Sequence, residues 1–333
     1  MPHDSRSPQP SGVSRRAVLL GGAGLALGAP ACSATGTGRA SGTGSATATA
    51  LPRTAPWRPD PSDVQPDVKL RAVQVIEALG SWKDGGGGAD RARERVAALD
   101  LPAALVDQAG PLLPPADEAV LQVVDAQYGG ILADTASVMV ACRQWTRRGA
   151  AVTPGGTTVD VRLSRSLPRW SVSALHPASP GPPTASLSEE ARRVLAESRI
   201  RLPPAAEADI RGGGVHASVL RCLLRLAGTY RVDVTVLRSG HPLNVFGTDR
   251  PSDHPPGRGI DVWRINDKAV IDAATPRGLI ESFMRDAAAA GSYNVGGPVL
   301  LVGKPVLLAD GSTSNQFFSD PTHRDHVHIG FTA

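Results

Sequence analysis

Cysteine, lysine and long apolar runs are scarce in this chain, and each scarcity excludes something. Three cysteines, Cys32, Cys142 and Cys222, occur in 333 residues. They are too few for a disulfide framework, and no CxxC spacing suggests a cysteine zinc site. If Cys32 is removed or acylated, the other two are either buried free thiols or one Cys142–Cys222 disulfide. Lysine is confined to Lys69, Lys83, Lys268 and Lys304. The net charge of +4 therefore rests on arginine and forms no basic block. A nucleic-acid binder concentrates such charge on one element or face, so that class has no support. Outside the N-terminus no apolar stretch approaches the ~20 residues of a spanning helix, which excludes a polytopic membrane protein.

Glycine (36) and proline (29) are abundant and hydrophobic residues make up 41%. This suits a loop-rich chain with real cores, long enough for roughly two domains.

The first 32 residues read as an export signal. Arg15 and Arg16 precede an apolar Gly/Ala-rich run that ends in small residues, the order of a charged, an apolar and a cleavage region. The paired arginines resemble the twin-arginine type. Cys32 sits where a lipoprotein signal places its acylated cysteine, although leucine is missing three positions earlier. The mature chain is thus expected outside the cytoplasmic membrane, secreted or held by a lipid on Cys32. Residues 33–65 are rich in Ser, Thr, Gly, Ala and Pro and read as a flexible linker.

Residues 66–180 read as a small α+β domain. Val68, Val73, Ile76 and Leu79 have near-helical spacing. Residues 90–109 look helical in two pieces split at Pro102. VLQVVDAQYGG, ASVMVACRQW, TTVDVRLSR and RWSVSALHP then read as strands. The order could suit a nuclear-transport-factor-like cone. No catalytic constellation is visible, so a binding, docking or spacer role is expected.

A proline-rich boundary near residue 185 leads to a second α+β domain, 188–333, with an antiparallel sheet. Its helices are expected at SEEARRVLAES, VHASVLRCLLRLAG and TPRGLIESFMRDAAAAG, the last capped by Thr275 with Pro276 first. Its strands are expected at YRVDVTVL, DVWRI, PVLLVG, KPVLLAD and HVHIGF.

The chemistry lies between Ser239 and His328. His254 and Asp261 stand seven apart with Gly257 and Gly259 between them. His326 and His328 alternate on one strand face, with Asp325 just before. A catalytic zinc takes three ligands from His and Asp/Glu and keeps a place for water. His254 and Asp261 can converge if the glycines turn the chain back. His328 then closes the triangle, with Asp325 and His326 near enough to handle a proton.

SDHPPGRGID resembles the SxHxxGxAxD motif of the zinc D-Ala-D-Ala carboxypeptidases and dipeptidases, with Gly259 in place of Ala. VLRSGHPLN is similar to that family's SGYR segment, and DHVH to both its acid-x-x-His ending and the HxH of lysostaphin and hedgehog zinc domains. The resemblance covers about residues 205–333. It implies Zn2+ held by His254, Asp261 and His328, with Asp325 as general base and His326 stabilising the transition state. It implies Ser252 as a substrate contact; Arg258 and Arg250 are further candidates. His323 reads as a surface residue. Where the family has Tyr-Arg, this chain has His241 and Pro242. The expected function is an exported zinc metallopeptidase acting on peptidoglycan peptides. The alternative is a non-catalytic module that binds wall peptides or another exported protein.

Overall fold

A computed structural model describes residues 50–332, except 167 and 308–310. The expected signal and residues 33–49 of the expected linker lie outside the described residues. Among those described, no helix is long and apolar enough to cross a membrane.

The N-terminal half begins with α1 (Pro66–Gly80), which has proline in its first turn. There the missing N–H costs no helical bond. Its buried face carries Val68, Ala72, Val73, Ile76 and Leu79, and also Lys69. A short α2 (Ala89–Ala97) and 3-10 turns at Ala103–Gln108 and Gly110–Leu112 follow. Then β1 (Glu118–Ile131), β2 (Thr135–Arg148), β3 (Ala151–Ser166) and β4 (Arg169–Pro177) form an antiparallel meander in that order. One sheet face packs Val123, Val138, Val140, Val161 and Val172 against Val73 and Ile76 in a single core. Strand β2 is buried along both faces from Ala136 to Cys142, because helix α1 covers one face and the C-terminal half covers the other.

The expected flexible linker is corrected over residues 55–65. Ala55 exchanges hydrogen bonds with the Gln122 side chain, and the Trp57 amide donates to Glu77. Asp63 is buried and pairs with Lys69. Docking against α1 and β1 outweighs the polar composition that suggested a tether.

The C-terminal half contains α3 (Glu189–Ala196), β5 (Ile200–Arg201), α4 (Pro204–Arg211) and α5 (Ala217–Ala227). They are followed by β6 (Val232–Val236), β7 (Gly259–Ile265), β8 (Lys268–Ala269), α6 (Arg277–Ala289) and β9 (Asn294–Gly296). Last come β10 (Pro305–Leu307), β11 (Thr313–Asn315), β12 (Phe317–Phe318), a 3-10 turn at Pro321–Arg324 and β13 (Val327–Gly330). The main sheet runs β12-β9-β13-β7-β6-β5, with β8 beside β7. Its centre is antiparallel as expected, but β12–β9 and β5–β6 pair in parallel.

Two local expectations need correction, and one helix was not expected. PVLLVG forms no ladder, and Leu300 and Val302 are exposed. Thr275 does not cap α6; its hydroxyl donates to the Ala269 carbonyl at 2.6 Å, and the cap position falls on Pro276. Helix α4 carries no strong periodicity and is anchored by Pro204 at its start. Ser188 does cap α3, accepting from the Ala191 amide at 3.1 Å.

Strand alternation separates the two faces of this sheet. Val232, Val234, Ile260, Val262, Val327 and Ile329 join Leu223, Phe283 and Met284 of the helices in one core. Asp233, Thr235, Asp261, His326 and His328 take the opposite positions. That face turns to the N-terminal sheet, where Thr235 Oγ1 donates to Asp125 at 2.8 Å. The order is helices, sheet, sheet, helices. Residues 50–332 lie within a single compact body.

Cys142 and Cys222 are buried free thiols, not a disulfide. Burial pushes both up to about 12, so neither is a ready nucleophile.

Candidate metal centre

The antiparallel register sets His328 directly across from Asp261. His328 Nδ1 lies 2.9 Å from Asp261 Oδ1. His254 arrives from the loop before β7. Gly257 turns that loop with φ +74, a conformation that favours glycine. Gly259 lets the imidazole pass, since a Cβ there would stand 2.7 Å from the His254 ring. A glycine at this position therefore has a steric reason. His254 Nδ1 donates to the Leu237 carbonyl at 3.0 Å. A carbonyl can only accept, so Nδ1 carries a proton and Nε2 is the nitrogen turned toward the other donors. It points at Asp261 Oδ1 (3.2 Å) and His328 Nδ1 (3.3 Å).

Three donor atoms thus lie within 3.3 Å of one another. Ligands about 2.0–2.1 Å from a tetrahedral zinc are separated by ~3.3 Å, so the set fits that ion in spacing and type. His241, His254 and Asp261 also cluster, with ligand atoms within 4.8 Å. The His241 ring, however, stacks on His254 at 4.0 Å and 16°. In-plane lone pairs of stacked rings run parallel rather than converging. His241 is therefore the wall behind His254, and His328 the better third donor. Burial, with the neighbouring His254, holds His241 well below the usual histidine range, so it is neutral.

The carboxylates around the cluster are charged. Burial alone would raise Asp261, but His254, His326 and His328 hold it well below the usual range. Burial also opposes charge on His328, yet Asp253 (3.3 Å from Nε2) and Asp261 together raise it to about 9. A cation at Nδ1 has to displace that proton. Asp253 is itself held by the Tyr293 hydroxyl at 3.0 Å.

The expected general base is engaged elsewhere. Asp325 Oδ1 accepts from His326 Nδ1 at 2.6 Å. Its Oδ2 accepts from Lys69 Nζ at 2.6 Å and from the Tyr128 amide at 3.1 Å. Burial would raise this carboxyl, but Lys69 and His326 bring it to about 2. With both oxygens occupied, Asp325 orients rather than abstracts. The ring it orients, His326, turns Nε2 toward Asp261 Oδ1 at 3.8 Å. The group placed to move a proton is thus His326.

The three substrate candidates are dispersed. Ser252 is buried, and its Oγ accepts from the His254 amide at 3.3 Å. Arg258 donates to the Thr332 carbonyl at 2.7 Å and ties down the chain end. Arg250 is exposed on the loop beside Tyr293 and Asp253. His323 is half-buried rather than free on the surface: it hydrogen-bonds Asp320 at 2.9 Å and packs edge-on to Phe318 near His326.

The N-terminal half, read as having no catalytic constellation, reaches into this centre. Gln127 Nε2 donates to Asp261 Oδ2 at 2.7 Å. Two irregularities in β1, at Val123/Asp125 and Tyr128/Gly130, bracket the segment that delivers it. Lys69 is nearly fully buried between Asp63 and Asp325 and sits 5.2 Å from the Tyr128 ring centroid. Its signal was visible: Lys69, Ala72, Val73 and Ile76 share one stripe of α1, so a lysine stands on an apolar face. Nothing comparable marks Gln127.

A cavity of about 900 Å³ opens between the halves. Arg162, His176, Arg238, Phe246 and His241 contribute to its lining, and His241 separates it from His254. Arg162 sits over the Phe246 ring, 5.3 Å from its centroid, and donates to Asp160 at 2.6 Å.

No protein-family model, no curated protein and no solved structure matches the chain.

Proposed function

We propose that the chain is an exported zinc-dependent peptidase acting on peptidoglycan peptides, with a metal held by His254, Asp261 and His328. The observation that carries this reading is the convergence of those three donors within 3.3 Å beside His326. Export rests on the Arg15-Arg16 signal, and the substrate class on the resemblance of SDHPPGRGID and DHVH to zinc D-Ala-D-Ala peptidases.

When bound, zinc polarises the scissile carbonyl and acidifies water. The chain supplies the rest. His326, aimed by Asp325, accepts the proton of the attacking water and returns it to the leaving amine. Lys69 and the Tyr128 amide keep Asp325 ionised and still. Gln127 and Leu237 fix Asp261 and His254 in place.

One observation favours the second reading, a wall-peptide-binding module without turnover: Pro242 stands where the resembling family positions substrate with arginine. Incubating the zinc-loaded chain with peptidoglycan stem and cross-bridged peptides, followed by mass spectrometry, separates the two. The peptidase reading expects fragments that His326→Ala abolishes. Saturable binding with no fragments from either form assigns the binding module instead.

A further inference from the structure

A second, smaller cavity of about 180 Å³ lies on the seam away from the metal centre. The N-terminal sheet lends it Val124 and Arg143, and the C-terminal sheet lends Arg201, Asp233, Trp263 and Arg264. Three guanidinium groups thus face one carboxylate. Asp233 is shared by Arg264 at 2.7 Å and Arg201 at 3.4 Å. Asp267, nearby, takes Arg201 at 2.7 Å and Arg231 at 3.0 Å. With Arg231 and Asp267 counted, four arginines stand against two carboxylates. Arg143 donates to the Leu202 carbonyl at 3.0 Å, and no carboxylate pairs with it among the described residues.

The donors are also left over. Trp263 Nε1 and Arg264 Nε are both buried without a hydrogen-bond partner among the described residues. The Arg264 guanidinium sits over the Trp263 ring, 4.5 Å from its centroid, which fixes both. A buried N–H with no acceptor is unfavourable and uncommon. Two such N–H groups beside surplus guanidinium charge call for an acceptor that brings negative charge.

We infer that this cavity is an oxyanion site of phosphate class, bridging the two halves through Arg143 on one side and Arg264 and Trp263 on the other. Guanidinium groups arriving from different strands suit an acceptor with oxygens on several sides. A surplus of two positive charges suits a dianion. The cavity equals about six water volumes at ~30 Å³ each, room for one such group with some water but not for a nucleotide. The occupant is either the free ion or a phosphate group of a larger polymer. The inference does not depend on the peptidase reading.

Thermal unfolding and calorimetric titration of the full chain test it. Metal is removed first with chelator, so that phosphate cannot act through the metal centre. Inorganic phosphate is compared with chloride and acetate at equal ionic strength, and with poly(glycerol phosphate). Saturable phosphate binding is expected, with Tm raised by about 4 °C at a hundredfold excess over Kd. Arg143→Gln, at an exposed side chain, leaves the phosphate-free Tm unchanged and weakens phosphate binding at least tenfold. Arg264→Gln does the same to the affinity. Tighter binding of the polymer than of the ion identifies a polymer as the source, and equal or weaker binding identifies the free ion; both support the site. Acetate acting as well as phosphate overturns the phosphate class. Phosphate binding that is absent, or unchanged in Arg143→Gln and Arg264→Gln, overturns the site.

Discussion

The C-terminal half carries Asp261, His326 and His328 on one sheet face, and the loop before β7 brings His254 to them. Among its described residues the N-terminal half carries no metal-ligand cluster, yet Lys69, Gln127 and the Tyr128 amide come from it and hold two of the site's carboxylates. The two differ in how their residues meet. Asp261 and His328 are partners in neighbouring strands, and His254 precedes Asp261 by seven residues. Gln127 reaches Asp261 across 134 positions and Tyr128 reaches Asp325 across 197. Donor chemistry is built locally in one half, and its rigidity comes from the other. A half with no chemistry of its own can therefore still be part of a centre.

This contrast can be broken or sharpened at single residues. The largest effect falls on the proton-handling group of the C-terminal half. His326→Ala lowers peptide cleavage by about 10²–10⁴-fold while zinc per chain stays constant. Steady-state kinetics with parallel metal analysis checks both.

Next in size is the buried ion cluster joining the halves. Lys69→Met leaves Asp63 and Asp325 without their cation and costs about 3–5 kcal/mol, measured by urea unfolding. Because Asp63 and Lys69 act together, adding Asp63→Asn costs less than the sum of the single changes. Strict additivity would mean that the cluster is not a unit.

Gln127→Leu removes only the contact to Asp261 Oδ2. It lowers metal affinity by about 10–100-fold, followed by competition with a chromophoric chelator. Unchanged affinity would reduce the N-terminal half to a passive cover.

The smallest effect is a pH dependence at the seam. Burial raises the Asp125 carboxyl to about 7, with Lys69 lowering it, Asp325 raising it, and Thr235 and His326 also lowering it. A carboxyl raised in the folded state contributes stability that is fully present below pH ~4 and lost as pH rises through about 7. Asp125→Asn is therefore more stable than the parent at pH 8 and close to it at pH 4. Unfolding curves at both pH values check the sign.

What could be read in the residues follows the same divide. The β1–β4 meander, α1 and α5 were visible in alternation and helical spacing, because each packs one face on its own half's core. The donors His254, Asp261 and His328 were visible in short spacings with glycines between. The docked segment Ala55–Gln65 was not, since its composition is that of a linker and its partners Glu77 and Gln122 lie far along the chain. The exchange of roles between Asp325 and His326 was also hidden, because it depends on Lys69 arriving from another domain-sized unit. Lys69 lies on the apolar stripe of α1, but nothing in the sequence ties it to Asp325. PVLLVG misled in the opposite way: its apolar run suggests a strand, but the chain there finds no ladder partner.

The central claim is that His254, Asp261 and His328 hold one metal ion. Elemental mass spectrometry on the full chain, purified without added metal and again after zinc loading and removal of excess, tests it most directly. The account predicts about one zinc per chain in the parent and a loss of at least about 100-fold in affinity in His254→Ala. A parent chain that retains no metal after loading, or a His254→Ala variant that retains as much as the parent, contradicts it.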